Sequence, residues 1–251
     1  MYTLKKSLGQ HFLKDDNICR KIVAAVRSEK PQQLLEIGPG GGAITRYLMD
    51  LPGVSFKAIE LDDEKVQYLL NTYPALKDKI IHQSILDSTV PFEGPFHIVG
   101  NFPYNISTQI LFKILEWKEQ VPVITGMFQK EVAQRVAAPP GSKIYGVTSV
   151  LIQAFYEVAY LFDVSEQSFT PPPKVKSGVI RLKRKETVIA MKSVKTFTVL
   201  VKTAFNQRRK TLRNAVKPLF PEAILKNEIF GRRAEQLSVA DFAALSFKMQ
   251  S

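Results

Sequence analysis

Residues 34–45 read LLEIGPGGGAIT, and this stretch decides the fold. Its apolar first half predicts a buried strand, its glycines predict a tight turn, and the residues from Ala43 onward begin a helix. Glycine lets a backbone approach a ligand closely, and the first turn of a helix presents N–H groups without partners inside the helix. The stretch therefore predicts a strand, a turn and a helix that hold a ligand at the turn.

The spacing of this turn leaves two interpretations open. Gly38, Gly40 and Ala43 satisfy the fingerprint of dinucleotide-binding folds, but the same segment reads Glu-x-Gly-x-Gly-x-Gly, which is typical of methyltransferases that bind S-adenosylmethionine. Both interpretations expect Glu60, which ends a strand predicted over residues 54–59, to accept hydrogen bonds from both hydroxyls of a ribose. A glycine-rich loop without a ligand is the third interpretation.

A second motif follows another predicted buried strand, over residues 96–100. It reads Asn-Phe-Pro-Tyr from Asn101 to Tyr104, at the carboxyl end of a strand, where open α/β sheets bind ligands. Asn101 offers a carbonyl acceptor, Pro103 fixes the chain and lacks an N–H, and Tyr104 offers a flat face. These groups suit an exocyclic amine on a heteroaromatic base, although an ordinary strand-to-helix turn explains the four residues equally well.

Strands and helices alternate from the amino terminus to about residue 182, with one of the helices predicted over residues 145–156. This order predicts an α/β domain over residues 1–182 with a doubly wound, mostly parallel, Rossmann-like sheet. Residues 183–251 carry 15 Lys and Arg against 5 Asp and Glu, and their apolar residues recur with helical spacing. The apolar residues expected on one face of the first helix there are Val194, Phe197, Leu200, Val201, Ala204 and Phe205. We therefore expect a second, small, basic and all-helical domain over residues 183–251. Such a surface binds phosphate backbones through counterion release, or is simply a solvated basic face.

Composition limits the remaining classes of protein. No run of about 18 apolar residues occurs, and the first residues lack the apolar core of a signal peptide. Cys19 is the only cysteine, which excludes an internal disulfide and a cysteine-based zinc cluster. We expect a cytoplasmic protein that uses no metal and does not enter a membrane.

Six motifs in order resemble the KsgA-type small-subunit ribosomal RNA adenine dimethyltransferase family, and the resemblance covers nearly the whole chain. The glycine turn is weakly specific, whereas Asn-Phe-Pro-Tyr is typical of amino-group methylation, and residues 205–210 resemble the small-subunit enzymes rather than the related large-subunit methyltransferases. The motifs are GQHFL (9–13), EIGPG (36–40), NFPYNIS (101–107), QKE (129–131), FTPPPKV (169–175) and FNQRRK (205–210).

The resemblance implies an enzyme that transfers methyl groups from S-adenosyl-L-methionine to the N6 amines of two adjacent adenosines near the 3′ end of small-subunit (16S) ribosomal RNA. The product is N6,N6-dimethyladenosine, and the implied process is small-subunit ribosome biogenesis. The implied partners are this RNA and the immature small subunit, and we expect a monomer.

The resemblance also implies roles for individual residues. The family usually has Asp at the position of Ser84, so Ser84 would bond the cofactor's adenine amine without a charge, with Asp87 as the alternative acceptor. Tyr104 would stack on the target base and Phe169 would close its other face. The implied cofactor-binding residues are His11, Leu13, Gly38, Gly40, Glu60, Ser84 and Asn101. The implied catalytic residues are Asn101, Phe102, Pro103, Tyr104 and Phe169.

The basic segment would hold the phosphate backbone and set the register of the RNA. The candidates are Lys202, Arg208, Arg209, Lys210 and Arg213. Two rival hypotheses remain at this stage. An RNA-binding assembly factor could keep the fold without activity, and a nicotinamide-dependent dehydrogenase would fit the glycines but give the Asn-Phe-Pro-Tyr turn no purpose.

Overall fold

The computed structural model describes residues 11–250, and within them one sheet of seven strands forms the centre of the first part of the chain. The strands are β1 (Phe12–Leu13), β2 (Gln33–Ile37), β3 (Ser55–Glu60), β4 (Ile80–His82), β5 (His97–Asn101), β6 (Val123–Gln129), β7 (Tyr156–Val164), β8 (Phe169–Thr170) and β9 (Ser177–Arg184). The helices are α1 (Asp16–Arg27), α2 (Thr45–Leu48), α3 (Asp63–Thr72), α4 (Ser107–Glu116), α5 (Lys130–Ala137), α6 (Val147–Gln153), α7 (Val194–Asn206), α8 (Leu212–Ala215), α9 (Glu222–Leu225) and α10 (Val239–Ser246).

The seven strands lie in the order β4-β3-β2-β5-β6-β9-β7. Strands β2 to β6 pair in parallel, and β9 runs antiparallel to β6. Strand β2 has parallel neighbours on both sides, and its residues 34–37 are all buried, as expected of a strand covered on both faces. The predicted α/β, mostly parallel, Rossmann-like fold is confirmed.

The order of the strands places the two sequence motifs side by side. Strand β2 leads into the glycine turn and β5 leads into Asn101, and these two strands are hydrogen-bonded neighbours with Leu35 opposite Ile98. Their carboxyl ends therefore meet at one edge of the sheet, where such folds bind their ligands.

A small additional sheet was not predicted. Strand β1 pairs antiparallel with β8, so that Phe12 lies opposite Thr170 and Leu13 opposite Phe169. Two-residue strands have no periodic pattern, and their partners lie far apart in the sequence, so local patterns do not reveal them.

Two local predictions are wrong. The helix expected over residues 145–156 covers only α6, and Tyr156 already begins β7, where a buried aromatic side chain suits a strand. Val194, expected on the buried face of α7, is 45% exposed because it lies in the first turn after the capping Ser193. Phe197, Leu200, Val201, Ala204 and Phe205 do form that buried face.

The chain divides into two compact units, and the division differs from the predicted boundary. One unit comprises the chain up to residue 133 together with residues 158–184, and the other comprises residues 134–157 and the chain from residue 185. Residues 134–157 join the second unit because α6 packs against α7 and the Lys185 amide donates to the Phe155 carbonyl. The change of net charge near residue 183 marks the point at which the chain enters the second unit for the second time. No change of charge marks its first entry at residue 134.

No helix in the described range 11–250 combines the length and the apolar character that crossing a membrane requires. The same range contains no cluster of three or more His, Cys, Asp or Glu side chains arranged to hold a metal ion.

Candidate active site

The glycine turn is tied to the end of the neighbouring strand. Gly38 and Gly40 have φ angles of 68° and 56°, a left-handed conformation that favours glycine. The N–H of Gly40 donates to Oε2 of Glu60 at 3.1 Å, and the N–H of Gly38 donates to the carbonyl of Ile59 at 2.9 Å. The turn that follows β2 is therefore fixed against the carboxyl end of β3.

Glu60 is buried and its carboxylate accepts several backbone hydrogen bonds. Besides the bond from Gly40, its Oε1 accepts from the N–H groups of Leu61 and Asp62, each at 2.9 Å. These bonds fix the orientation of the carboxylate. A carboxylate has about four lone-pair positions, so Glu60 keeps acceptor capacity toward the cavity that it lines.

Glu36 lies beneath the turn and was not predicted as a functional residue. It is 2% exposed, it lines the same cavity, and its Oε2 has no hydrogen-bond partner in the described chain. Burial raises the pKa of Glu36 to about 8; the Thr45 hydroxyl opposes this effect and the charge of Glu60 adds to it. The sequence indicates Glu36 only as an acidic residue just before a glycine turn. Its burial and the lack of a hydrogen-bond partner for its Oε2 appear only in the structure.

Asn101 is the last residue of β5, and its amide is oriented by the backbone of the amino-terminal segment. Its Nδ2 donates to the carbonyl of His11 at 3.3 Å, and no described residue donates to its Oδ1. The next backbone N–H, that of Phe102, donates to the Met127 carbonyl at 3.1 Å, which holds the motif against the neighbouring strand β6. Asn101 thus presents Oδ1 as a hydrogen-bond acceptor, while its Nδ2 donates one hydrogen bond to the His11 carbonyl.

The ring of Phe102 does not reach solvent but supports the motif from below. It is 1% exposed and lies 4.8 Å, centroid to centroid, from the ring of Phe128. A Cβ built on Gly126 would lie 2.5 Å from the Phe102 ring, and one on Gly100 would lie 2.7 Å from it. These two glycines face each other on β5 and β6, and the space they leave is filled by Phe102.

One cavity of about 290 Å³ collects most of the predicted site residues, a volume near the lower end of those found for small-molecule sites. Pro103 packs against the glycine turn, since a Cβ on Gly38 would lie 3.9 Å from its Cδ. The predicted residues that line the cavity are His11, Leu13, Gly38, Gly40, Glu60, Ser84, Asn101, Phe102, Pro103 and Tyr104.

Ser84 and Asp87 differ in their positions. Ser84 is half-buried and lines the cavity, and its Oγ accepts the N–H of Leu86 at 3.2 Å. Asp87 is exposed and is not among the residues that line the cavity. The structure therefore favours Ser84 over Asp87 as the group facing the cavity.

Phe169 does not have the predicted position. Its side chain is 0% exposed, belongs to the apolar cluster beneath the sheet, and is not part of the cavity lining. The pairing of β8 with β1 places Phe169 opposite Leu13, which is itself buried. The expectation that the Phe169 ring closes one face of a bound base is not met, because the ring is used in the core.

Lys65 is a buried cation that the sequence analysis missed. Its Nζ lies 3.3 Å from Oδ2 of Asp62, and the two side chains are 2% and 0% exposed. The same Nζ lies 5.1 Å from the centroid of the Phe12 ring, at the distance of a cation–π contact, and both residues line the cavity. The Lys65–Asp62 pair therefore links the part of the cavity wall next to Glu60 to Phe12 in the amino-terminal segment.

The predicted RNA-binding side chains lie in the second unit and are all exposed. The guanidinium of Arg208 donates to the carbonyls of Lys143 and Tyr145, and Nε of Arg213 donates to the carbonyl of Leu225. Arg209 and Lys210 make no side-chain hydrogen bond or ion pair with other residues in the described range. Arg208 and Arg213 thus also support the fold, whereas Arg209 and Lys210 are available to a partner. The fifth residue, Lys202, is on α7.

Comparison with known proteins agrees with this geometry. The family model described as ribosomal RNA adenine dimethylase matches residues 1–249. A ribosomal RNA small subunit methyltransferase A of Flavobacterium johnsoniae is 51% identical over 98% of this chain and 96% of its own length. Its counterpart in Cytophaga hutchinsonii is 50% identical over 96% of this chain and 95% of its own length.

Solved structures show the same fold at lower identity. A dimethyladenosine transferase from Plasmodium falciparum superposes with a TM-score of 0.79 at 23% identity, covering 95% of this chain and 99% of its own. The 23S rRNA methyltransferase ErmE superposes with a TM-score of 0.71 at 22% identity, covering 96% and 100%. The match to the family model over nearly the whole length, with relatives at about half identity, confirms the resemblance found in the sequence: the chain belongs to the ribosomal RNA adenine dimethylase family.

Proposed function

We propose that this protein transfers methyl groups from S-adenosyl-L-methionine to the N6 amines of two adjacent adenosines near the 3′ end of 16S ribosomal RNA. The observation that carries the proposal is the state of Asn101. Its amide N–H is held by the His11 carbonyl, which leaves Oδ1 as an acceptor in the cavity that also contains the glycine turn and Tyr104.

The residues around the cavity fit S-adenosyl-L-methionine. Gly40 has a φ angle of 56° and approaches the Phe12 ring so closely that a Cβ on it would lie 3.3 Å from the ring, so this position of the turn favours glycine. Glu60 offers carboxylate acceptors that suit ribose hydroxyls, and Ser84 suits an adenine amine as a neutral acceptor. Glu36, a buried carboxyl with a free oxygen, suits the ammonium of an amino acid. When bound, the cofactor would supply an electrophilic methyl group on a sulfonium sulfur, which would leave as a neutral thioether while the methylated nitrogen loses a proton to water.

The protein's own contribution to the reaction is to orient the adenine amine. The nitrogen is a poor nucleophile because its lone pair is delocalised into the ring. Oδ1 of Asn101 and a backbone carbonyl of Phe102 or Pro103 accept hydrogen bonds from the two N–H groups of the amine. These bonds favour a pyramidal nitrogen whose lone pair faces the methyl group. The Pro103 carbonyl already accepts the Ile106 N–H at 3.3 Å and keeps one lone pair for this purpose. Positioning and polar stabilisation together supply the catalysis.

Tyr104 provides the face on which the target base stacks. Burial raises the pKa of Tyr104, and its hydrogen bond with Ser177 opposes this effect. The phenol therefore stays protonated near neutral pH and does not act as a base. Stacking on an aromatic ring contributes about 1–3 kcal/mol per base, which offsets part of the cost of taking the adenosine out of its stack.

The second unit holds the RNA through its phosphates. Lys202, Arg209 and Lys210 supply exposed positive charge, and the unit carries most of the excess charge of the chain. These contacts position the RNA without reading its sequence. We propose a monomer that acts in the cytoplasm on the RNA of an immature small subunit.

The test compares the parent chain with Asn101→Ala. Each is incubated with S-adenosyl-L-methionine and immature small subunits, and the adenosines are analysed by mass spectrometry. The parent should yield dimethyladenosine, and Asn101→Ala should react at least about a hundredfold more slowly, as for the loss of one polar group that stabilises a transition state.

Binding of S-adenosyl-L-methionine measured by calorimetry serves as the control for folding of both chains. A parent chain that binds the cofactor but leaves the adenosines unmethylated contradicts the proposed function. Equal methylation by the two chains contradicts the role of Asn101.

A further inference from the structure

The side chain of Tyr104 is held by residues from two distant parts of the chain. Its hydroxyl lies 2.5 Å from Oγ of Ser177, which follows it by 73 residues. Its ring lies 5.5 Å from the ring of His11, centroid to centroid, with the planes inclined by 32°. Nδ1 of His11 lies 2.9 Å from the carbonyl of Pro171, so the imidazole is itself fixed.

Ser177 is placed where its hydroxyl serves only the interior of the protein. It is the first residue of β9, it lies opposite Gln129 at the end of β6, and it is 0% exposed. It is not among the residues that line the cavity. A buried hydroxyl without a hydrogen bond is costly, and in the described chain the partner of this hydroxyl is Tyr104.

The bond matters because of what a stacking face requires. A tyrosine ring that turns about its Cα–Cβ and Cβ–Cγ bonds offers a base no fixed plane. The hydroxyl lies on the Cβ–Cγ axis, so its hydrogen bond to Ser177 fixes the direction of the ring about the Cα–Cβ bond, and the His11 ring beside it limits rotation about the Cβ–Cγ bond. Because Tyr104 is three residues from Asn101, the orientation of the ring also sets where the amine of a stacked adenine lies relative to Oδ1 of Asn101. Small errors in such placement lower reaction rates strongly.

We propose that Ser177 is a positioning residue for methyl transfer: its hydroxyl holds the Tyr104 ring in the place from which the ring, with its rotation limited by His11, directs the adenine amine toward Asn101. This inference rests on the proposed function, because it assigns Tyr104 the stacking role. His11 completes the support by covering part of the ring, so residues just before β1 and at the start of β9 together determine the orientation of a side chain that follows β5.

The experiment is a double-mutant cycle on the full chain. Ser177→Ala, Tyr104→Phe and the double variant each remove the same hydrogen bond and keep the aromatic ring. Single-turnover methylation is measured at saturating RNA and S-adenosyl-L-methionine, and each rate is divided by the concentration of cofactor-binding sites found by calorimetry. Ser246→Ala, which removes a buried hydroxyl in the second unit, is the matched control.

We expect Ser177→Ala and Tyr104→Phe each to lower the rate about threefold to tenfold, as for one hydrogen bond, and the double variant to lower it no further. Ser177→Thr, which keeps the hydroxyl, should restore most of the rate, and Ser246→Ala should leave it unchanged. Cofactor affinity should be equal in all of them.

A fully active Ser177→Ala chain, or independent multiplicative effects in the double variant, overturns the inference. Should Ser177→Ala fail to fold, a fully active Tyr104→Phe chain overturns it instead. A parent chain that binds cofactor without producing dimethyladenosine rejects the proposed function and this inference with it, so the two failures are distinguishable.

Discussion

Among single residues, Glu36 is the one whose chemistry depends most on its surroundings. In water its carboxyl would be ionised at neutral pH, but burial raises its pKa to about 8, against the opposing effect of the Thr45 hydroxyl. The folded protein therefore binds a proton at Glu36 that the unfolded chain has released. Neutral Glu36 is compatible with the interior, and a cation placed in the cavity would favour its ionised form.

This shift predicts how stability changes with pH. Because the pKa of Glu36 is raised in the folded state, Glu36 contributes fully to the free energy of unfolding below its ordinary pKa of 4.5. This contribution is lost as the pH rises through about 8. In Glu36→Gln, which mimics the protonated group, this loss is absent. We expect the melting temperature of Glu36→Gln to rise relative to the parent between pH 5 and pH 8, and the difference to stay constant above pH 9.

The size of the difference follows from the shift. At about 1.4 kcal/mol per pKa unit, the rise from 4.5 to about 8 corresponds to about 5 kcal/mol, and a domain of this size gains about 2–4 °C per kcal/mol, so a difference of about 10 °C or more is expected. Thermal unfolding by circular dichroism without cofactor measures it, with Glu93→Gln, an exposed carboxyl, as the control. Parallel pH curves for the parent and Glu36→Gln would show that Glu36 is ionised in the folded protein.

At the scale of secondary-structure elements, the junction of β5 and β6 determines the shape of the site. The Phe102 ring crosses both strands where Gly100 lies opposite Gly126, and the Phe128 ring closes the other side. Asn101 and Pro103 flank Phe102 directly. The backbone of residues 101–104 is therefore positioned by the close packing of the Phe102 ring against two neighbouring strands.

Gly126→Ala should disturb both the fold and the reaction. A Cβ there would lie 2.5 Å from the Phe102 ring and 2.6 Å from the Phe128 ring, so at least one ring has to move. Overpacking of this kind costs about 1–3 kcal/mol. A displacement of Asn101 by about 1 Å should cost about a hundredfold in rate.

Urea denaturation and single-turnover methylation measure these two effects. Gly231→Ala is the control, since a Cβ on Gly231 meets nothing within 4 Å. If Gly126→Ala has the same stability and rate as the parent, the strands separate easily and the Phe102 ring does not position residues 101–104.

At the scale of the whole molecule, the distribution of charge separates two tasks. Residues 183–251 have ten more cationic than anionic side chains, 15 against 5, whereas the preceding residues are nearly balanced. The residues that we propose as catalytic lie in the first unit, and most of the excess positive charge lies in the second. Binding of RNA should therefore respond to changes in the second unit that leave cofactor binding untouched.

The double variant Arg209→Ala/Lys210→Ala tests this separation. Neither side chain supports the fold through hydrogen bonds to described residues, unlike Arg208 and Arg213, so the loss should affect RNA alone. Each lost phosphate contact should lower the slope of log affinity against log salt by about 0.7 to 0.9. Fluorescence anisotropy with labelled RNA at several salt concentrations measures the slope, and Lys77→Ala, an exposed cation of the first unit, is the control. An unchanged slope would mean that the RNA does not bind at Arg209 and Lys210.

The sequence by itself determined the class of fold, the family and ten of the residues that line the cavity. Strands and helices leave local periodic patterns, and the turns at residues 38–42 and 101–104 have compositions that only a few local structures require. The carboxyl ends of parallel strands form the ligand-binding edge of such sheets, so a ligand site at that edge could be expected without coordinates, and the resemblance to a known family implied its chemistry.

Only the tertiary structure decided what the individual side chains do. The bonds from Asn101 to His11 and from Tyr104 to Ser177 join residues 90 and 73 positions apart, and nothing in the local sequence marks them as partners. The same holds for Phe169, which a motif placed at the site and packing placed in the core, and for Glu36, whose pKa follows from burial. Local patterns fix backbone conformation, but the direction and environment of a side chain depend on which distant segments pack around it.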